Sequence, residues 1–177
     1  YWHISLALII VGGAFLLMSY GIDWGLTEQG SLMYHPDELA MIRPAINNFI
    51  VLFQPEDISD WTATQPELQV HISSFIFWIT IGGKETFTKF IQTKGLSYLY
   101  RVLRYAAVLF GLGIIIMVFL SAKEMYGKKI AVMSAFFTAI TPCLIWNSHY
   151  AYNDIPTVFW ISCALYFSIR IIKTDQL

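Results

Sequence analysis

The chain has 177 residues, of which 56% are hydrophobic and 13% charged, with a formal net charge of −1. A soluble domain carries roughly 25% charged residues, so this composition leaves too little charge to cover a water-facing surface. The near-neutral balance, with no basic stripe, excludes a nucleic-acid partner.

The apolar residues fall in blocks. In hydrocarbon such blocks fold as helices, because no water is present to pair backbone N–H and C=O groups. The expected fold class is therefore all-α integral membrane. Crossing takes about 20 apolar residues, and four stretches qualify as transmembrane helices. The first, residues 4–22, is uncharged and carries Gly12 and Gly13, which are expected to mark close helix packing. It has no cationic leader or small-residue cleavage site, so it is not a secretory signal. Residues 23–98 follow as a long external loop holding Pro36, Pro44, Pro55, Pro66 and most of the acidic residues. Within it, residues 40–53 read as an amphipathic juxtamembrane helix. The apolar run 72–81 is too short to cross and reads as an interfacial or re-entrant helix. The remaining spans are 105–122, 130–147 and 155–172. Because the chain starts at Tyr1 and stops soon after an apolar block, residues 1–177 are read as the N-terminal transmembrane module of a longer protein.

Basic residues near span ends set the orientation. The connector Lys123-Glu124-Met125-Tyr126-Gly127-Lys128-Lys129 is lysine-rich, and Arg170 and Lys173 close the last span. Both regions should be cytoplasmic. The long loop and the turn at 149–154 then face the other side, together with every acidic residue except Glu124 and Asp175. Several aromatics, among them Trp2, Tyr20, Trp24, Tyr105, Trp146, Tyr150 and Tyr152, stand near block ends, as a membrane–water interface favours. Cys143 and Cys163 lie inside apolar blocks and read as small buried hydrophobes.

Three polar features converge on the extracytoplasmic face. Tyr34-His35-Pro36-Asp37-Glu38 sets two carboxylates near a dry surface, where desolvation suits proton abstraction. They also fit as acids opening a helix after Pro36. Arg101 and Arg104 are three apart and share a helix face, suited to gripping a lipid phosphate or to snorkelling. Ser148-His149-Tyr150-Ala151-Tyr152-Asn153-Asp154-Ile155-Pro156 keeps a histidine and a carboxylate in a short turn, where Asp154 also suits a helix cap.

In their order, these features resemble the N-terminal part of the GT-C glycosyltransferases, specifically the protein O-mannosyltransferase/aminoarabinose-transferase-like family. The family's Asp-Glu pair in the first external loop is matched by Asp37-Glu38. Its Pro-Leu element is matched by Gln65-Pro66-Glu67-Leu68. Its Arg-led span resembles Arg104 to Gly111, and its Ser-His-x-Ala-x-x-Asp-x-Pro stretch is matched by Ser148, His149, Ala151, Asp154 and Pro156. Two departures are visible: Gln65-Pro66-Glu67-Leu68 stands for His-Pro-Pro-Leu, and Leu39-Ala40-Met41 does not match the Val-His-Phe-Gly of eukaryotic members. The resemblance therefore points to the prokaryotic branch and a plasma-membrane protein with an extracytoplasmic site.

The resemblance implies transfer of a sugar from a polyprenyl-phosphate donor to a hydroxyl of a protein or glycolipid acceptor, with inversion at the anomeric carbon. Asp37 would be the general base, and Glu38 would support it or bind the acceptor. Arg104, with Arg101, would offset charge on the departing phosphate. His149 and Asp154 would position phosphate, acceptor or a divalent cation. The competing reading is a transporter or other non-enzymatic multi-pass protein with an outward-facing polar site. Charge inside the spans would favour it. The span interiors carry none, and the polar groups cluster at one surface.

Overall fold

A computed structural model describes residues 2–26, 36–51, 67–82, 86, 87, 89 and 95–174. Its elements are α1 (Trp2–Ser19), α2 (Pro36–Val51), α3 (Glu67–Ile81), α4 (Leu96–Tyr126), α5 (Lys128–Ala139), α6 (Pro142–Asn147) and α7 (Asp154–Thr174). Among the described residues all regular structure is helical, as expected of this composition. The chain forms two compact units.

The first unit comprises Tyr1–Tyr20, Ala107–His149 and Asp154–Leu177. Among the described residues, three helices are long and apolar enough to cross a membrane: α1, α4 and α7. The 31 residues of α4 reach about 46 Å at 1.5 Å per residue, against a hydrocarbon core of about 30 Å. The sequence-predicted span 105–122 is only its apolar middle, and Arg101 and Arg104 ride on the turns that precede it.

The expected span 130–147 is instead two shorter helices, α5 and α6. Pro142 causes the break. It has no N–H to donate, and its ring disfavours helical backbone at Thr141, which stands at φ −66°, ψ 117°. The carbonyls exposed at the break find other donors: Thr141 Oγ1 donates to Phe137 O at 2.8 Å, and Thr141 N–H to Thr138 O at 3.2 Å. These two carbonyls thus stay paired where the backbone leaves the helix, as an apolar setting requires.

α1 packs on α5 and α6, and Ala131, Ala135 and Ala139 form a buried small-residue face on α5. The sequence expectation for Gly12 and Gly13 is corrected here, because both have open space beside them. Close approach falls on α4 instead. A Cβ on Gly111 would stand 2.6 Å from Ser148 Oγ and 3.2 Å from Met18 Sδ, and one on Gly113 would stand 2.6 Å from the Phe159 ring. The cysteine expectation also fails: Cys143 is exposed and Cys163 half-buried. Neither thiol needs a protein core, since an apolar face turned to lipid is equally dry.

The second unit comprises Gly21–Ala106 and Tyr150–Asn153. Its core packs Ile42, Ala45 and Phe49 of α2 and Phe77 and Ile81 of α3 with Leu99 and Leu103 of α4. The amphipathic helix expected at 40–53 begins earlier, at Pro36. Proline suits a first helical position, where its missing N–H goes unused, and the acids behind it suit the helix's positive end. The short helix expected at 72–81 also begins earlier, at Glu67, and stays below spanning length. A polar seam joins the two helices. Asn48 Nδ2 lies 2.9 Å from His71 Nδ1 and donates to Ser74 Oγ at 3.0 Å, while Ser74 donates to the Ala45 and Val70 carbonyls, each at 2.9 Å.

Candidate active site

Within the second unit, the first turn of α2 and the third turn of α4 meet through Glu38 and Arg104, whose residues are 0% and 1% exposed. Arg104 Nε donates to Glu38 Oε1 at 2.8 Å, and Nη2 to Oε2 at 2.7 Å. Nη1 donates to the carbonyls of Ile22 at 2.7 Å and Trp24 at 2.9 Å. Glu38 Oε1 also accepts the Ala151 N–H at 2.9 Å, and the Tyr150 ring lies 5.9 Å from the guanidinium carbon. Two fully desolvated charges survive burial only when such bonds replace water, and the forked geometry supplies them.

Four stretches of chain therefore hold one ion pair: the segment after α1, the start of α2, α4, and the residues before α7. The pair is neutral as a whole and turned inward. Arg101 differs, pairing with Asp23 at 2.5 Å while both side chains stay exposed. Asp37 lies in the first turn of α2 beside Glu38; its side chain, together with Tyr34, His35, Gln65 and Pro66, lies outside the described residues.

His149 and Asp154 belong to the first unit. His149 sets Nδ1 2.7 Å from the Ile145 carbonyl and Nε2 2.8 Å from the Tyr20 carbonyl. Both ring nitrogens are thus directed at backbone oxygens. Asp154 is exposed and opens α7, as a helix-start acid should. It helps line a groove of about 510 Å³ with Thr138, Thr141, Asn147, Ile114 and Val158. Among the described residues, no group of three or more His, Cys, Asp or Glu side chains is placed to hold a metal ion.

The structure thus brings Glu38, Arg104 and the Ala151 amide together. Sequence reasoning pairs neither Glu38 with Arg104 nor Arg101 with Asp23, and it does not place Tyr150 against Arg104, beside which it is buried. The signal for Tyr150 was its position inside the Ser148–Pro156 stretch. The Ile22 and Trp24 carbonyls leave none, since a backbone acceptor has no residue type.

Residues 59–176 match the family model for the dolichyl-phosphate-mannose-protein mannosyltransferases. No curated protein and no solved structure matches the chain. The matched segment holds Arg104, Gly111, Ser148, His149, Ala151 and Asp154 and covers well over half of the sequence. The chain belongs to the dolichyl-phosphate-mannose-protein mannosyltransferase family, and it is an integral membrane glycosyltransferase that draws on a polyprenyl-phosphate-linked sugar.

Proposed function

We propose that this chain is the N-terminal transmembrane module of an enzyme that moves a sugar, with inversion, from a polyprenyl-phosphate donor to a hydroxyl group outside the cytoplasm. In this reading Asp37 takes the proton of the acceptor hydroxyl as its oxygen attacks the anomeric carbon. The bond from that carbon to the phosphate oxygen breaks, and the lipid phosphate leaves with the electron pair. The observation that carries the assignment is the fixed state of Glu38. Both its oxygens are bonded within the protein, so it serves as the anchor of the acid pair, and the proton acceptor is its neighbour.

The same geometry divides the work of the arginines. Arg104 acts through Glu38 as a positioning residue. Arg101, exposed and paired only at the surface, is the guanidinium free to exchange Asp23 for the donor's phosphate and offset its growing charge. Asp154, on the wall of its groove, orients the acceptor or a divalent cation, and His149 holds the turn that carries it. The acceptor is a protein or glycolipid hydroxyl, and the residues at Leu39-Ala40-Met41 favour a prokaryotic plasma membrane.

The test is Asp37→Asn in the full-length protein, reconstituted with a polyprenyl-phosphate mannose donor and scored for sugar transfer. Loss of turnover with donor binding and folding retained is the expected result. Near-normal turnover removes Asp37 from the chemistry.

A further inference from the structure

A second charged feature lies in the first unit, at the end where α4 gives way to α5. α5 opens after Gly127, at φ 87° and ψ 178°, with no side-chain cap and no acid in its first turn. Its leading N–H groups and the positive end of its dipole call for an anion. The residues there are Lys128 and Lys129, the wrong sign for that position. Glu124, the sole carboxylate between residues 123 and 129, is already committed. It faces Arg170 at 3.5 Å, and its backbone carbonyl accepts from Lys173.

An independent observation falls at the same place. His3 stands in the first turn of α1, the helix that packs on α5. Its residue is 5% exposed, and its Nδ1 has no hydrogen-bond partner. Lys128 and Lys123 are both within electrostatic reach of the ring. Leaving a buried polar nitrogen unmatched is costly, so such an atom points to a missing partner. Trp2, Ile130 and Met133 are exposed around this end, and an apolar surface beside a cationic cluster suits a ligand that carries acyl chains as well as charge.

We propose that this end of the first unit binds the phosphodiester headgroup of an anionic phospholipid, held by the uncapped N-terminus of α5, Lys123, Lys128, Lys129 and His3. The site is separate from glycosyl transfer and does not depend on the roles assigned above. It sets a preference for anionic bilayers in the protein's stability.

The test titrates the purified full-length protein in zwitterionic detergent with dioleoylphosphatidylglycerol, with dioleoylphosphatidylcholine and with inorganic phosphate. Bound lipid is counted by native mass spectrometry, and the thermal midpoint is followed in parallel. Phosphatidylglycerol is expected to bind and raise the midpoint, and phosphatidylcholine is not. Lys128→Gln with Lys129→Gln should weaken binding roughly thirtyfold, from about fivefold per surface lysine. Lys128→Arg with Lys129→Arg should bind as the parent does, which separates lost charge from lost folding. His3→Leu should weaken binding several-fold. Equal binding of the two lipids overturns the proposal, as does unchanged binding in the glutamine or leucine variants. Displacement of phosphatidylglycerol by equimolar inorganic phosphate overturns the lipid assignment.

Discussion

Replacing Glu38 by Gln keeps the shape of the side chain and removes the charge that balances Arg104. The carboxamide cannot satisfy this setting in either orientation. With its NH₂ in the Oε2 position, it stands donor to donor against Nη2, where the present distance is 2.7 Å. Flipped, it opposes both Arg104 Nε, now 2.8 Å away, and the Ala151 N–H, now 2.9 Å away. Breaking a buried pair costs about 3–5 kcal/mol because the surviving charge is stranded, and the residual acceptor oxygen places this variant near about 3 kcal/mol. For a chain of this size that is a fall of roughly 6–12 °C in the thermal midpoint. The six tryptophans give an intrinsic fluorescence signal for unfolding in detergent. The decisive comparison is the double variant Glu38→Gln with Arg104→Gln. With no charge left to strand, it should recover about 2 kcal/mol relative to the sum of the single changes. Single effects that simply add, to within about 0.5 kcal/mol, would refute the ion-pair account.

Arg101→Ala breaks an exposed pair and should change stability by less than about 1 kcal/mol, while raising the apparent KM for the polyprenyl-phosphate donor; an unaltered donor response would return the phosphate role to another residue. Gly111→Ala sets a methyl 2.6 Å from Ser148 Oγ, which is itself tied to the Leu144 carbonyl at 2.7 Å. It should therefore cost about 1–3 kcal/mol, and pairing it with Ser148→Gly should restore most of the loss in the same unfolding assay. Asn48→Leu removes the donor facing His71 and Ser74 and should destabilise by about 1–3 kcal/mol, with amide exchange in α2 and α3 rising before that in α7.

Helical class was legible because hydropathy is a sum over many residues, and α1 and α7 fall within a few residues of the expected spans. Pro142 was equally visible in the sequence, yet hydropathy averages across it and so reads 130–147 as one span. Glycine patterns failed for a different reason. Gly12-Gly13 and Gly111-Gly113 look alike in sequence, and only the direction each pair faces decides which meets a neighbour. At the site, the participants Glu38, Arg104 and Ala151 all stood in the motifs that carry the family resemblance. Their mutual occupation did not show, because a motif records which residues are present and not which of them spend their hydrogen bonds on each other.

The Glu38 bonds also bear on the order in which the protein is made. Glu38 leaves the ribosome 66 residues before Arg104 and 113 before Ala151. Until Arg104 is made, its carboxylate has none of the partners that make burial tolerable, so the start of α2 must wait at a wet surface while α4 is inserted. Closure of the pair is then a late event in biogenesis, and an intermediate ending before residue 104 should expose Glu38 to labelling reagents that the finished protein excludes.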